Sequence, residues 1–578
     1  MKYNNPIIGG FHPDPSICRV GADYYLATSS FEYFPGIPVF HSRDLIHWEQ
    51  IGNCVAHAAE LEPEGMSFAA EGFRAFYGNI HDSGGIWAPT IRYEKGLFYV
   101  TATVDGCGNF ITRSSNPSGP WSKPVWVPVG GIDPSLFFEN GKAYYCTNQS
   151  LHPGQEEITM CEINPETGEL LSGQRTLWNG IGGGFLEGPH LYHIDGFYYL
   201  LAAEGGTSFN HMITLARSGS LWGPYEGCPW NPILTNVHDT GKQVQCSGHG
   251  DLVKDCQGNF WIVHLATRLS RRTMTHLGRE TFLTPARWVD GWLYADNDKK
   301  ASLVCEGPLQ TEPAQTKQVP QPAVQEPTQT TTQAKQMPQP TVQESTQAKQ
   351  MPQPAIQEHA HHKKAAGEAS CVWQADFRSC KWEPEWIFLR AYHKSSYRRG
   401  DGILNLYPAP VSLSDKTKSP TFAAVRQPDF DFELEAGFTF PSSRIGDEAG
   451  LALRLSSDFY YCFCIRRTGE GIFLCAGRKI EDIWHTDCEI ALPSMEDSPI
   501  FLKIQGCKEY YLFSYALGDS PDKPVINYRA VARPSTRFLS TDLAGRCFTG
   551  TVMGLYALCG GKTDSVMRVS RFCVRTGP

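Results

Sequence analysis

Asp14-Pro15-Ser16-Ile17 is the first of five related four-residue phrases in the first half of the chain. The other four are Ala88-Pro89-Thr90-Ile91, Asp133-Pro134-Ser135-Leu136, Gly188-Pro189-His190-Leu191 and Gly250-Asp251-Leu252-Val253. An aromatic residue stands eleven positions after the start of each phrase, as Tyr25, Tyr99, Tyr144, Tyr199 and Trp261. A phrase that returns with the same aromatic partner indicates one structural unit used five times.

The segments around these aromatic residues predict antiparallel strands. They are short and rich in aromatic and β-branched residues, and turns of Gly, Asp or Asn bound them. The distance between units varies, so we expect insertions in the loops and a repeated strand core. Repeated four-stranded sheets arranged around an axis form a β-propeller. We therefore predict an all-β fold whose first domain, residues 1–308, is a five-bladed propeller. The alternative is a β-sandwich with chance similarity between strands.

Each unit also carries one chemically notable residue, at the first position of its phrase or directly before it. These residues are Asp14, Trp87, Asp133, Glu187 and His249. Equivalent positions of propeller blades lie around the same axis, so we expect these side chains to meet. Three carboxyl groups gathered there repel one another and raise at least one pKa. Each phrase alone is an ordinary turn, but three acids at one topological position favour acid–base chemistry.

Composition narrows the class of protein. A chain of 578 residues is too long for one core and predicts two or three domains. Its net charge of −9, without a basic cluster beside aromatic residues, argues against a nucleic-acid partner. No apolar run is long enough for a signal peptide or a membrane span. Nineteen scattered cysteines without an export signal predict reduced, mostly buried thiols in the cytoplasm.

The composition changes abruptly over residues 309–370, where a Gln/Pro-rich motif repeats. The copies are Lys317-Gln318-Val319-Pro320-Gln321-Pro322, Lys335-Gln336-Met337-Pro338-Gln339-Pro340 and Lys349-Gln350-Met351-Pro352-Gln353-Pro354. This segment cannot bury enough apolar surface to fold, so we predict a disordered spacer. His359, His361 and His362 fit a solvated end of that spacer better than a metal site. Residues 371–578 again show short alternating runs and predict a β-sandwich.

Longer motifs around the phrases resemble glycoside hydrolase family 43. They are Phe11-His12-Pro13-Asp14-Pro15-Ser16, Ser29-Ser30-Phe31-Glu32-Tyr33-Phe34-Pro35-Gly36, Gly130-Gly131-Ile132-Asp133-Pro134-Ser135-Leu136-Phe137 and Glu187-Gly188-Pro189-His190-Leu191. Glu204-Gly205-Gly206-Thr207 and His276-Leu277-Gly278-Arg279-Glu280-Thr281 are similar to its β-xylosidase and α-L-arabinofuranosidase branch. The resemblance covers the whole predicted propeller in order, and the C-terminal part resembles the β-sandwich of that branch. The long Gln/Pro linker departs from the family pattern.

The resemblance implies hydrolysis by a single displacement with inversion. Asp14 would be the general base that activates water, and Glu187 the general acid that protonates the leaving oxygen. Asp133 would orient Glu187 and keep its pKa high. An acid must hold its proton near neutral pH while a base stays ionised, so their environments must differ. Inversion also needs a gap of about 6.5–9.5 Å between the two carboxyl groups.

The resemblance further implies a set of substrate-binding residues: Phe31, Trp87, Thr207, Arg279, His249 and Phe548. Phe31 and Trp87 would form apolar walls, Arg279 would hydrogen-bond sugar hydroxyls, and Phe548 would close the pocket from the sandwich. His249 would lie beneath the pocket and ligate calcium through waters, although an imidazole is an unusual ligand for so hard a cation. No cofactor is expected to be required.

The implied activity is exo-hydrolysis that releases terminal β-D-xylose from xylo-oligosaccharides or arabinoxylan fragments. An α-L-arabinofuranosidase, or an enzyme with both activities, is the alternative, and the oligomeric state is left open. A fructose-releasing hydrolase would need an Asn-Asp-Pro-Asn-Gly-like context, which Pro13-Asp14-Pro15-Ser16 does not match. A non-catalytic sugar-binding propeller is disfavoured because all three acids are present.

Overall fold

A computed structural model describes residues 2–63, 67–271, 273–307, 371–442, 444–493, 498–518, 527–545, 547–561 and 564–577. The predicted linker over residues 309–370, with its three histidines, lies outside the described residues. Regular structure in the described part is almost entirely β-strand. No helix of the described part is long and apolar enough to cross a membrane.

Five four-stranded antiparallel sheets follow one another after a short strand β1 (Lys2–Asn4). The first blade comprises β2 (Ser16–Val20), β3 (Asp23–Ala27), β5 (Gly36–Ser42) and β6 (Glu49–Val55), with β4 (Tyr33–Phe34) between them in another sheet. A 3-10 turn (Ala58–Leu61) and helix α1 (Ser67–Gly78) lead to the second blade, β7 (Ile86–Glu94), β8 (Leu97–Val104), β9 (Gly108–Ser114) and β10 (Val125–Val127). The third comprises β11 (Ser135–Glu139), β12 (Lys142–Thr147), β13 (Ile158–Ile163) and β14 (Arg175–Trp178).

The fourth blade comprises β15 (Glu187–Ile194), β16 (Phe197–Glu204), β17 (Met212–Ser218) and β18 (Glu226–Gly227), and β19 (Leu234–Thr235) also pairs with β17. The fifth comprises β20 (Val244–Lys254), β21 (Phe260–Arg268), β22 (Glu280–Val289) and β23 (Trp292–Ala295). A left-handed turn, Asp296–Lys299, and β24 (Val304–Glu306) follow. The predicted five-bladed propeller is confirmed.

The ring closes at a seam between the first and fifth blades. Strand β1 pairs with β24, which brings the two ends of the propeller together. Asp251 of the fifth blade accepts hydrogen bonds from Ser16 Oγ at 2.7 Å and from the Ile17 amide at 2.9 Å. Apart from β4, which pairs with the sandwich, the described strands of each blade follow one another in the chain.

The five phrases share a backbone conformation. Asp14, Ala88, Asp133, Gly188 and His249 have φ values of 55°, 39°, 53°, 58° and 44°. A left-handed residue of this kind bends a strand and redirects its side chain, as in a β-bulge. The ladders of the second, fourth and fifth blades shift register at this point. The sequence repeat therefore marks the turn by which each blade enters the axial region.

The start predicted for the fifth phrase, Gly250, is wrong by one residue relative to the other four phrases. Leu252 pairs with Ile262 as Ile17 pairs with Leu26, so His249, rather than Gly250, occupies the first position. The cause is the hairpin that follows: it has five turn residues, 255–259, whereas the other four hairpins have two. His249 is thus equivalent to Asp14 and Asp133, while Trp87 and Glu187 directly precede that position.

The C-terminal region is the predicted β-sandwich of two eight-stranded sheets. One sheet contains β25 (Cys371–Gln374), β27 (Tyr397–Gly400), β28 (Ile403–Leu406), β30 (Phe432–Thr439), β35 (Ile500–Gly506), β36 (Tyr511–Leu517), β37 (Arg529–Ala532) and β39 (Met567–Thr576). The other contains β4 with β26 (Ile387–Leu389), β29 (Thr421–Arg426), β31 (Glu448–Arg454), β32 (Phe459–Thr468), β33 (Gly471–Ile480), β34 (Ile483–Leu492) and β38 (Val552–Leu558). Two 3-10 turns, Lys394–Ser396 and Thr536–Leu539, complete the region. Apolar side chains from both sheets, among them Leu434, Leu451, Leu502 and Leu555, form its core.

The sandwich contacts the propeller on both sides of the seam. On the first-blade side, β4 pairs with β26 of the sandwich sheet. On the fifth-blade side, the Thr551 amide donates to the His276 carbonyl at 3.0 Å. The backbones also approach closely, because a side-chain carbon on Gly10 would lie 2.2 Å from the Gln427 carbonyl oxygen. The sandwich is therefore an integral neighbour of the propeller.

A buried charge cluster lies where β4 meets the sandwich. Arg454 is fully buried, donates to Tyr33 Oη at 2.8 Å and hydrogen-bonds Asp82, and its Nη1 lies 3.5 Å from Glu32 Oε1. Arg390 is also buried and donates to Asp82 Oδ1 at 3.1 Å. Burial, followed by the charge of Asp82, raises the pKa of Glu32 to about 7. Each domain thus supplies charges that the other neutralises.

We expect Arg454→Met to destabilise the protein strongly, because the buried Glu32 carboxyl and the partly buried Asp82 carboxyl would lose one of the two cations beside them. Removing one partner of a buried ion pair costs about 3–5 kcal/mol. Chemical or thermal unfolding of the full chain measures the loss. Arg43→Met is the matched control, since the Arg43–Asp23 pair lies at the surface, where water screens it. Equal effects of the two substitutions would contradict the prediction.

Candidate active site

Asp14 lies at the axial turn before β2, and its carboxylate is buried. Ser29 Oγ donates to Oδ2 at 2.6 Å, and Arg279 Nη1 donates to Oδ1 at 2.7 Å. Burial alone would raise the pKa of Asp14. Arg279, then His249 and the Ser29 hydroxyl, outweigh burial and hold the pKa of this carboxyl below its usual value. Asp14 is therefore a buried carboxylate that stays ionised, as a general base must.

Glu187 is the first residue of β15 and is partly exposed. Burial, followed by the charge of Asp14, raises the pKa of Glu187 to about 7. Burial, then the charges of Glu187 and Asp14, raise the pKa of Asp133 well above its usual value. At neutral pH the Glu187–Asp133 pair retains a proton while Asp14 stays ionised. The pKa of Asp14 and the pKa of Glu187 are thus shifted in opposite directions by their surroundings.

Asp133 is linked to Glu187 through the backbone. The amide of Gly188, the residue directly after Glu187, hydrogen-bonds the Asp133 carboxylate. Gly188 has a φ of 58°, and a side-chain carbon there would lie 3.1 Å from the His249 ring. The equivalent positions of the other blades hold other residues at a similar φ, so it is the lack of space beside the His249 ring that favours glycine here. The hydrogen bond from the Gly188 amide to Asp133 fixes the turn that carries the Glu187 side chain.

His249 is buried beside the acids. Its Nδ1 lies 3.7 Å from Asp133 Oδ2, which is too long for a hydrogen bond. Burial lowers the pKa of His249, so the ring is neutral at neutral pH. Calcium prefers several oxygen ligands, yet no group of three or more His, Cys, Asp or Glu side chains suited to a metal occurs among the described residues. These residues do not fit a directly coordinated calcium ion, and the water-mediated site stays a prediction.

Three aromatic side chains form a wall near Asp14. The Phe31 ring centroid lies 6.5 Å from that of Trp87 and 6.2 Å from that of Phe548, which comes from the sandwich. Arg279 lies over both phenyl rings, 5.5 Å from the Phe31 centroid and 5.8 Å from the Phe548 centroid. Its Nη2 also donates to the Phe548 carbonyl at 3.3 Å. The structure thus brings Phe548 to the propeller residues with which the sequence grouped it.

A cavity of about 240 Å³ lies next to this wall. Residues of both domains line it, including Thr207, Arg279, Asp542, Cys547 and Phe548. Arg279 was expected to face sugar hydroxyls, and the structure shows in addition that it binds Asp14. Its Nε is buried and has no hydrogen-bond partner in the described structure. The Arg279 guanidinium therefore binds Asp14 through Nη1, while its Nε–H donates to no described residue.

Several residues of the site were not assigned roles from the sequence. Ser29 holds Asp14, and the charge of Glu156 contributes to the raised pKa of Glu187. Glu156 also accepts from the amide of Phe185, at 2.7 Å from Oε1. His211 is fully buried, and burial lowers its pKa to about 3. Ser29 follows the Asp14 phrase within the first blade, but Glu156 and His211 lie outside the repeated phrase, so the repeat could not identify them.

Glu204, from the quoted Glu-Gly-Gly-Thr motif, has a supporting place. It is buried and accepts from the amides of Ile181 at 3.0 Å and Gly183 at 2.8 Å. Thr214 Oγ1 donates to it at 2.9 Å. These bonds hold the loop that leads into Glu187. Thr207, at the end of the same motif, lines the cavity.

Chemically, the arrangement offers one ionised carboxylate, one protonated carboxyl group and an aromatic wall whose Phe548 also lines the cavity. Such a pair can accept a proton on one side of a bond and donate one on the other. The aromatic wall can pack against the C–H faces of a small ligand.

Comparison with known proteins agrees with this chemistry. The model of glycosyl hydrolases family 43 matches residues 3–293, and that of the beta xylosidase C-terminal concanavalin A-like domain matches residues 374–573. A non-reducing end alpha-L-arabinofuranosidase of Bacteroides ovatus is 32% identical over 571 residues, covering 97% of this chain and 92% of the relative. A putative beta-xylosidase of Escherichia coli is 30% identical over 595 residues, covering 96% of each chain.

Solved structures extend the agreement to three dimensions. A variant of a family 43 protein from Bacillus licheniformis superposes with a TM-score of 0.80 at 30% identity, covering 100% of both chains. The resemblance seen in the sequence motifs is confirmed over both domains. Because the similarity spans the propeller with its axial acids and the sandwich that completes the site, this chain belongs to glycoside hydrolase family 43 and is a glycoside hydrolase.

Proposed function

We propose that this glycoside hydrolase is an exo-acting β-xylosidase that releases terminal β-D-xylose from xylo-oligosaccharides with inversion. The opposed ionisation of Asp14 and Glu187 carries the proposal, and Arg279 joins Asp14 to the cavity that it lines. The cavity of about 240 Å³ is smaller than the roughly 300–1,000 Å³ of sites for drug-sized ligands. A volume of this size suits one terminal sugar better than the middle of a chain.

In the proposed reaction, Asp14 takes a proton from a water molecule as that water attacks the anomeric carbon. Glu187 gives its proton to the glycosidic oxygen, and the bond between that oxygen and the anomeric carbon breaks. The leaving sugar departs as an alcohol, and xylose is released in the α configuration. Arg279 keeps Asp14 ionised, and Asp133 holds the Gly188 turn that aims Glu187. One acid and one base are sufficient for this displacement.

An α-L-arabinofuranosidase is the second candidate, and it is favoured by the name of the Bacteroides ovatus relative. β-D-xylopyranose and α-L-arabinofuranose present similar stereochemistry around the scissile bond. The same acid and base would therefore serve both sugars, and arabinoxylan fragments would also be substrates.

A cytoplasmic location belongs to the same proposal and is supported by the described cysteines, which are free thiols.

We expect a higher kcat/KM for para-nitrophenyl β-D-xylopyranoside than for para-nitrophenyl α-L-arabinofuranoside at neutral pH. Proton NMR of early xyloside hydrolysis should show α-xylose before mutarotation. A preference for the arabinoside would replace the first candidate by the second. β-Xylose as the first product would contradict the proposed single displacement. Hydrolysis of neither substrate would contradict the proposed activity itself.

A further inference from the structure

Ser83 connects two walls of the site although it belongs to no catalytic motif. It lies in the loop before β7 and is buried. Its hydroxyl accepts a hydrogen bond from the Phe548 amide at 3.0 Å, and its carbonyl accepts from the Trp87 indole at 3.1 Å. Its own amide donates to Glu32 Oε2 at 3.0 Å. One residue of the propeller thus holds an aromatic residue of each domain.

The backbone of Ser83 is strained in a way that suits this role. Its φ is 63°, in the left-handed region that a serine rarely adopts. Residues held in such conformations persist where the surrounding structure determines them, often at functional sites. Here the carboxylate of Glu32 holds the amide, and Asp82, the preceding residue, binds Arg454 and Arg390. The interdomain charge cluster therefore fixes the Ser83 loop.

We infer that Ser83 is a positioning residue that sets the place of Phe548 over the sugar-binding cavity. This inference rests on the proposed function, in which Phe548 closes that cavity. The Ser83 hydroxyl has two contacts: the Phe548 amide and the Cys547 sulfur, 3.9 Å away. Phe548 in turn offers its carbonyl to Arg279, which binds Asp14. Through its hydroxyl, Ser83 therefore acts on the sandwich segment that carries the wall.

Ser83→Gly tests the inference, because glycine removes the hydroxyl and is relaxed at this φ. We expect kcat/KM for para-nitrophenyl β-D-xylopyranoside to fall about five- to tenfold, the equivalent of one lost hydrogen bond. The loss should lie mainly in KM, since an apolar wall binds the ground state and the transition state similarly. The pH profile should keep its shape because the carboxyl groups are untouched. The unfolding temperature should fall only slightly, because relief of the left-handed backbone at position 83 offsets part of the lost hydrogen bond.

A double-mutant cycle decides whether Ser83 acts through Phe548. The Ser83→Gly, Phe548→Ala variant should be no less active than Phe548→Ala alone, within about twofold. The inference would be overturned if the losses of the two single variants multiplied in the double variant, or if the KM of Ser83→Gly were unchanged. It would also be overturned if unfolding of the variant accounted for all of its lost activity. Ser42→Ala is the control, since that buried hydroxyl accepts from the Leu45 amide in an outer turn of the first blade. If the original protein hydrolyses neither para-nitrophenyl substrate, the proposed function fails, and with it the inference; activity without a Ser83 effect overturns only the inference.

Discussion

Glu187→Gln is expected to slow hydrolysis of xylobiose by about 10²–10⁴-fold, the usual contribution of a general acid. The leaving sugar is a poor leaving group and needs the proton that Glu187 holds. para-Nitrophenolate leaves without protonation, so hydrolysis of the aryl xyloside should fall far less. The ratio of kcat/KM for the two substrates measures the effect. If xylobiose turnover survives unchanged, the general-acid assignment is wrong.

The same variant gives a pH test. The pKa of Glu187 is raised to about 7, and only its protonated form can assist the departure of a sugar. For the original protein acting on xylobiose, kcat/KM should fall as pH rises through that value. This alkaline limb should be absent from the residual xylobiose activity of Glu187→Gln. Glu162→Gln, which changes an exposed carboxylate paired with Lys142 on the outer side of the third blade, should leave it in place.

Asp14→Gly is expected to abolish most hydrolysis of both substrates, because neither leaving group replaces the base that activates water. We expect a loss of about 10²–10⁴-fold, the range for general base catalysis. Glycine is relaxed at the φ of 55° found for Asp14. The substitution also leaves space beside Arg279, whose positive charge would attract an anion.

Azide supplies the sharper result for this variant. As an anionic nucleophile, azide needs no deprotonation, so it should restore turnover of the aryl xyloside and give α-xylosyl azide. Proton NMR identifies the configuration of the product. Because Arg279 loses its buried partner, circular dichroism must first establish that the variant is folded. A folded variant that azide does not rescue, or a β-configured azide, would contradict the role of Asp14.

The repeated phrase predicted more than strands. It marked the left-handed turn by which each blade enters the axial region, and therefore Asp14, Asp133 and Glu187 could be grouped from the sequence alone. The error in the fifth blade has a local cause. The longer turn at 255–259 moved Trp261 by one position, and a motif counted by spacing cannot detect such a change.

Residues outside the repeat could not be predicted, because tertiary contacts alone define their roles. Ser83 and Glu156 lie in loops, and nothing in their sequence context indicates that they contact Phe548 or affect Glu187. The two-residue strand β4 was also missed as a strand. It lies within the quoted Ser29–Gly36 motif, but its partner, β26, is more than 350 residues away in sequence. Partners this distant are invisible to a local pattern.

The seam of the propeller has a mechanical consequence. The chain runs directly from each blade to the next except at the first–fifth joint, which the β1–β24 pairing, the Asp251 contacts and the Arg279–Asp14 bond help to close. The sandwich contacts both sides of that joint. Its strand β26 pairs with β4, which lies between two strands of the first blade, and its Thr551 amide hydrogen-bonds His276 of the fifth blade. Asp14 and Arg279 lie on opposite sides of this joint, so any opening of it would separate the base from its cation. Opening of this one joint would therefore be enough to disrupt the site, even with the other four joints between blades intact.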